Sequence, residues 1–196
     1  MVRPVTIETQ EVIETARRLF LEHGFACSTS RIARELGISE GSIFRRFATK
    51  EELFSRAMGL PTTDFAAAWI ARAGEGGLDD QLEAIAHELV AYLRVAMPRM
   101  IMLRQSSLVD PVSMVATAVK APPVVFLDAL SAYFAREGEL RRFEASDPRI
   151  AARMLFGALA NFVFFEVLGF EAHDSEATKR TIRGMVQLMV KGSQPS

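Results

Sequence analysis

At 196 residues, with 49% hydrophobic and 24% charged side chains, the chain has the make-up of an ordinary globular protein, which excludes extended disorder. Its single cysteine, Cys27, excludes an internal disulfide framework and fits a reducing compartment. The formal charge of −1 says nothing for or against nucleic acid, so only its distribution along the chain is informative.

Helical periodicity runs from end to end, with no convincing stretch of period-2 alternation, so an all-α fold is expected. Val12, Ala16, Leu19 and Phe20 sit at i, i+4, i+7 and i+8 on one face of a first helix. Gly24 supplies its stop, and Phe25 is placed to pack back. A short second helix spans about Thr29 to Leu36, capped by Ser28 or Thr29, buried through Ile32, Ala33 and Leu36, and ended by Gly37. A third, about Ser39 to Phe47, buries Ile43 and Phe47. Thr49 and Glu52 form a capping box that opens a fourth, with Leu53, Phe54, Ala57 and Met58 inward. Gly59 and Pro61 interrupt it.

Beyond Pro61, further helices are expected at about Thr63–Ala73, Asp79–Met97, Arg99–Ser107, Val124–Glu137, Pro148–Leu168 and Ser175–Lys191. Gly74–Gly77 and Pro122-Pro123 read as breaks, and Met1–Pro4 and Gly192–Ser196 as frayed ends. Two domains follow: residues 1–58, and a larger region, 59–196. Met1 to Gln10 lacks the apolar run of a signal peptide. The greasiest stretch, Phe156 to Phe170, is short for a membrane span and contains Glu166. A soluble, cytoplasmic protein is the expectation.

Between Ser28 and Lys50 stand Arg31, Arg34, Arg45, Arg46 and Lys50 against Glu35 and Glu40, a local charge of +3. This patch falls on two short helices joined by a three-residue turn that starts with glycine, the geometry of a helix-turn-helix. The second helix of such a pair enters the major groove while the first braces it. Glu40, Ser42, Arg45 and Arg46 are left outward on it. Arginine suits bidentate contact with guanine or pairing with phosphate, and serine can bond several base edges. Glu40 fits a helix N-terminus through the macrodipole, and is also able to accept from a cytosine amino group. Ser39 and Lys50 offer phosphates backbone donors and a cation. Thr29 and Arg31 complete the candidate DNA-contact set.

The run Ala16-x-x-Leu19-Phe20-x-x-x-Gly24-Phe25, then Thr29-x-x-Ile32-Ala33, Gly37-Ile38-Ser39-x-Gly41 and Phe47-x-x-Lys50-Glu51-x-Leu53 resembles the N-terminal domain of the TetR family of bacterial regulators. The resemblance covers about residues 7 to 58. It implies that Ser42 and Arg45 face bases, and that Phe44, Arg46 and Lys50 face phosphates. Phe44 stands where the family usually has tyrosine, which removes a hydroxyl worth about 1 kcal/mol to a phosphate contact. Arg46, where histidine is common, brings a permanent charge.

For the rest of the chain the resemblance implies a helical domain that dimerises and holds an effector, the dimer binding an inverted-repeat operator. Phe65, Trp69, Leu89, Tyr92, Leu93, Met97, Met100, Ile101, Arg104, Phe126, Leu130, Phe162 and Phe165 are the candidate pocket, though a Met and Phe stripe at helical spacing is more often core. Its composition suits an apolar or aromatic effector, with His87, Tyr92, Arg104, Gln105 and Asn161 as polar anchors. In the Pro148–Leu168 helix, Ala151, Leu155, Leu159, Phe162 and Val163 lie on one side, and Met154, Ala158 and Phe165 on another. Leu155, Leu159 and Phe162, with Ile182, Met185, Val186 and Met189 on the last helix, are the candidate dimer interface.

Enzymatic chemistry finds little foothold. His23, His87 and His173 have no second histidine or cysteine at metal-ligand spacing, and no nucleophile-elbow, P-loop or dinucleotide motif is present. Asp79-Asp80 and Glu51-Glu52 sit at helix starts, where the macrodipole accounts for them. No catalytic residue, metal or cofactor is expected. Two other readings remain open: a redox-responsive regulator using Cys27, placed before a helix start, and a helical module that binds only protein partners.

Overall fold

The computed structural model describes residues 7–61, 65–106 and 122–192. Among them every regular element is an α-helix: α1 (Thr9–His23), α2 (Thr29–Glu35), α3 (Glu40–Phe44), α4 (Lys50–Ala57), α5 (Phe65–Ala71), α6 (Leu78–Gln105), α7 (Pro122–Glu139), α8 (Pro148–Val167) and α9 (Ser175–Gly192). They form two compact units. The first takes the chain up to Leu60 together with α6 from Pro98 onward; the second takes Pro61 to Met97 with α7 to α9.

In the first unit, the apolar face of α1 buries Val12, Ala16, Leu19 and Phe20 against Ile32 and Ala33 of α2, Ile43 of α3, and Leu53, Phe54 and Ala57 of α4. Gly24, at φ 73°, ends α1 in a conformation that favours glycine, and its N–H bonds back to Phe20 O at 2.8 Å. Phe25 then folds over Phe54, ring centroids 4.9 Å apart. Met102 and Leu103 of α6 pack against this same core, and Arg99 Nη1 donates to Gly59 O at 2.7 Å. Arg17 Nε donates to Ala57 O at 2.8 Å, satisfying a carbonyl at the open end of α4.

Thr49 caps α4 by accepting from Glu52 N at 3.1 Å. The reciprocal bond runs from Ala48 N to Glu52 Oε2 at 2.8 Å, one residue before the usual position. Thr49→Ala is expected to lower the unfolding free energy by about 1 kcal/mol, read from the denaturant midpoint. An unchanged midpoint would show that the cap bond contributes nothing.

Several boundaries differ from those expected. The third helix is shorter: α3 stops at Phe44, and Arg45 and Arg46 form a turn that drops Phe47 into the core. The expected helices on either side of Pro98 are one continuous α6. A proline removes one intrahelical bond and strains the preceding turn. Packing on both sides outweighs that cost, through Leu89, Leu93 and Ala96 before it and Met102 and Leu103 after it. Pro122-Pro123 does not precede a helix but opens α7, because first-turn N–H groups need no intrahelical acceptor.

In the second unit, α7 packs on α5 and α8, and α8 on α9. Trp69, Leu82, Leu89, Leu130, Leu159 and Ile182 are fully buried there. Two charged groups are buried with them, each with its partner. Glu137 accepts from Gly74 N at 3.0 Å and pairs with Arg142 Nε at 3.2 Å. Arg94 of α6 grips Glu166 of α8 with two bonds, of 2.8 and 2.7 Å, and also donates to Thr178 Oγ1 of α9 at 2.7 Å. The Glu166 side chain is 6% exposed, and hydrogen bonding to Arg94 holds its carboxyl below the ordinary range. By length and composition alone, the 20-residue α8, which overlaps the Phe156–Phe170 run, is apolar enough to cross a membrane. Its inward face of Ala151, Ala152, Leu155, Leu159 and Val163, together with the Glu166 pair, reads as a core helix of this unit.

Candidate nucleic-acid interface

The interface is built by α2, the turn after it and α3. Ser28 caps α2 by accepting from Arg31 N at 3.3 Å. Gly37, at φ 66°, turns the chain, and Ile38 N bonds back to Ala33 O at 3.0 Å. Ile32, Ala33 and Ile43 pin both helices to the first unit's core, which leaves their polar sides outward.

On those polar sides the side chains are wired to one another. Ser39 Oγ and Ser42 Oγ are 2.9 Å apart, and Arg45 Nη2 donates to Ser42 Oγ at 2.8 Å. Arg31, Arg45 and Phe44 are exposed, the Phe44 ring at 43%. Lys50 Nζ sits 4.5 Å from the centre of the Phe25 ring, a cation–π contact that fixes where its charge points.

Three of the sequence-derived candidates lie differently from the expectation. Thr29 is buried, at 7% exposure, and its hydroxyl donates to Glu40 Oε1; it faces inward to brace α3 rather than outward to DNA. Glu40 thereby clasps α2 to α3 through Oε1, while the residue itself stays exposed. Arg46 was expected outward; it is half-buried and donates to two main-chain carbonyls, Ser42 O at 2.8 Å and Ile7 O at 2.7 Å. Ile7, absent from the sequence-derived set, therefore anchors the approach to α1 against the end of α3. A main-chain acceptor 39 residues away leaves no mark in a sequence.

The model for bacterial regulatory proteins of the tetR family matches residues 12–57, the stretch that contains this arrangement. That match is confined to the N-terminal part of the chain. Its N-terminal part is 45% identical over 51 residues to the HTH-type transcriptional repressor AcnR of Corynebacterium diphtheriae, covering 26% of this chain and 27% of that one. The chain thus spans about a quarter of the length of the curated relatives it matches. Solved structures extend the likeness in fold over nearly all of it. A TetR-family regulator from Mesorhizobium loti superposes with a TM-score of 0.66 at 18% identity, over 95% of this chain and 96% of that one. FadR from Bacillus subtilis gives 0.60 at 19%, over 94% and 99%.

In the second part of the chain the candidate pocket residues divide. Phe65, Trp69, Tyr92 and Phe126 do converge, joined by Phe156, with ring centroids 4.7 to 6.4 Å apart. Trp69 Nε1 donates to Glu88 Oε2 at 2.7 Å, and Arg72 pairs with the same carboxylate at 3.0 Å. Leu89, Leu93, Met97 and Leu130 are core around it. Phe165, by contrast, is 36% exposed on the outer side of α8, as is Asn161, and Arg104 and Gln105 are exposed on the part of α6 that belongs to the first unit. Met100 and Ile101 belong to that part as well. Phe162 and His87 are half-buried. Two cavities of the second unit lie elsewhere: a groove of about 290 Å³ lined by Phe143, Ile150, Met154, Leu188 and Met189, and an adjoining one of about 220 Å³ bounded by Ala158 and Met185; a third, of about 250 Å³, is lined by Val124, Asp128 and Arg153.

The candidate dimer residues need correction on the same ground. Leu155, Leu159, Ile182 and Val186 are at most 2% exposed, spent on packing α8 against its neighbours within the chain. Phe162, Met185 and Met189 are half-buried. The free apolar side of α8 is the opposite one, where Ile150, Met154, Phe164, Phe165 and Leu168 are 36 to 63% exposed; on α9, Leu188 is 77% exposed. Cys27 is buried, its Sγ 3.9 Å from Ser28 O, and behaves as a small hydrophobic side chain of the first unit's core.

Proposed function

We propose that this protein is a cytoplasmic DNA-binding transcriptional repressor, working as a homodimer on an inverted-repeat operator and released by a small, mainly apolar or aromatic effector. The observation that carries the reading is the outward Ser39–Ser42–Arg45 face on a recognition helix clamped from behind, within a segment 45% identical to a named repressor. Arginine held on such a face presents a fork that matches guanine in the major groove, and Lys50 adds a phosphate contact. Residues 1–58 are the DNA-binding domain, and residues 59–196 the effector and dimerisation domain.

Dimerisation rests on the outer face of α8 and α9. Ile150, Met154, Phe165 and Leu168 share one side of α8 with Gly157 and Ala158, and Leu188 stands with Gly184 on α9. Added Cβ atoms at Gly157 and Gly184 would meet nothing within 4 Å, so a second helix has room to approach closely. Two copies pairing these faces form a four-helix bundle, isologous by symmetry. Half-sites then lie about ten base pairs apart or at a multiple of that spacing. The aromatic cluster of Phe65, Trp69, Tyr92, Phe126 and Phe156 is the preferred effector site, opened by a ligand that favours the DNA-incompetent state. The B. subtilis FadR structure, a complex with stearoyl-CoA, shows a relative of this fold holding a ligand with a long apolar chain.

Selection from a randomised duplex library at physiological salt tests the reading. Enrichment of an inverted repeat, with affinity falling steeply as salt rises, is the expected result. Retention without sequence preference or salt dependence would instead point to a protein-interaction module.

A further inference from the structure

Ser42 stands where a hydroxyl able to read a base edge is expected, yet its bonds are already committed. Its Oγ accepts from Arg45 Nη2 at 2.8 Å and lies 2.9 Å from Ser39 Oγ. A serine hydroxyl has one proton. With Arg45 donating to Ser42, that proton is free for Ser39, and the three side chains form a line ending on the exposed guanidinium.

The serine at the start of the line gives a second, independent indication. Ser39 is the N-cap residue of α3, with extended backbone at φ −76° and ψ 148°, the conformation from which a serine accepts a first-turn N–H. Ser28, Thr49 and Asp147 accept such a bond at the starts of α2, α4 and α8. Ser39 does not; its hydroxyl is turned to Ser42 instead. A cap position whose hydroxyl forgoes capping is held by a different demand. That demand is the support of Arg45, which leaves the helix at its last turn and would otherwise sample many rotamers in solvent. The Ser42 carbonyl meanwhile accepts from Arg46, so the same residue steadies both arginines.

We infer that Ser42, backed by Ser39, is a positioning residue that pre-orders Arg45 for a guanine and does not itself read a base. The inference rests on the DNA-binding reading above. Its consequence is that Ser42 and Arg45 act as one specificity element, so their losses do not add.

The test uses the full-length protein with Ser42→Ala, Ser42→Thr, Arg45→Ala and the Ser42→Ala/Arg45→Ala double variant, each put through the randomised duplex selection and then titrated on the sequence the parent enriches. Arg45→Ala should relax one base position and weaken binding about ten- to a hundredfold. Ser42→Ala should relax that same position, with a loss of about three- to tenfold. The double variant should match Arg45→Ala to within about twofold, and Ser42→Thr, which keeps the hydroxyl, should bind like the parent. Melting curves of the four variants should coincide with the parent, since Ser42 lies on the outward side of α3 and Arg45 is exposed in the turn after it. If Ser42→Ala relaxes a base position that Arg45→Ala retains, or if the two losses multiply, Ser42 reads DNA directly and the positioning role is overturned while DNA binding stands. If the parent enriches no sequence at all, the DNA-binding reading falls and takes this role with it.

Discussion

Arg94→Met is expected to destabilise the second unit by about 3 kcal/mol near neutral pH, because it strands the buried Glu166 carboxylate without its two-pronged partner. The reverse change should be milder. Glu166→Gln leaves an amide that still accepts from Arg94, and Arg94, 25% exposed, keeps both Thr178 and access to water. The pH dependence has a definite sign. Arg94 holds the Glu166 carboxyl below its ordinary value of 4.5, so the folded protein keeps this group ionised to lower pH than the unfolded chain does. The pair's contribution is therefore complete above pH 4.5 and is lost as pH falls through the lower folded value. In Arg94→Met the carboxyl keeps only His173, 3.7 Å away, and its pKa rises, so acid protonates it and relieves the penalty. Guanidinium midpoints followed by far-UV circular dichroism should show a wide gap between parent and variant at pH 7 and a narrow one at pH 4. A gap equally wide at both would mean that the ion pair is not what the substitution removes.

Met154→Glu with Leu188→Glu is expected to give a folded monomer that has lost its operator. The two side chains are 63% and 77% exposed within one chain, so carboxylates there face water and leave helicity and melting temperature nearly unchanged. Between two copies the same carboxylates would be desolvated beside each other, which costs several kcal/mol per ion. A monomer engages one half-site only, and losing the second contact weakens binding by about a hundredfold or more. Light scattering at micromolar concentration should give one chain's mass for the variant and two for the parent. A dimeric variant would place the interface on another face. Leu155→Glu serves as the contrast: at 2% exposure it should unfold the second unit rather than merely split a dimer.

Much of the fold was legible because helical burial is a local, periodic signal. The spacing of Val12, Ala16, Leu19 and Phe20 sets α1's buried face, and Gly24 and Thr49 mark helix ends through the bonds they make or permit. What escaped depends on partners far along the chain. Both sides of α8 are apolar, so periodicity finds two stripes and cannot say which one α7 and α9 cover; the exposed stripe proved to be that of Met154, not Leu155. Thr29 and Glu40 look like surface polar residues until folding sets them against each other across the turn. In the sequence Arg46 reads as a phosphate contact because charge is visible there, whereas the Ile7 carbonyl that receives it is not. The continuity of α6 through Pro98 is not legible in the sequence, because a proline's cost is local and the packing that outweighs it is not. Among the pocket candidates, the aromatic residues did gather, but as packed rings rather than an open chamber.

Trp69 has a practical consequence for spectroscopy. It is the chain's single tryptophan, and the two tyrosines, Tyr92 and Tyr133, lie in the same second unit, so near-ultraviolet absorption and emission from these residues all arise there. The first unit carries phenylalanine alone and is optically silent above about 280 nm. A compound that enters the cluster around Trp69 would displace its stacked neighbours and its Glu88 bond, and so quench or shift emission directly. On the proposed reading DNA binds the unit that holds no emitter, so an optical response to an operator would have to arise in the second unit. The protein thus carries its own dye, confined to the second unit, with which the proposed effector site can be tested in a single cuvette.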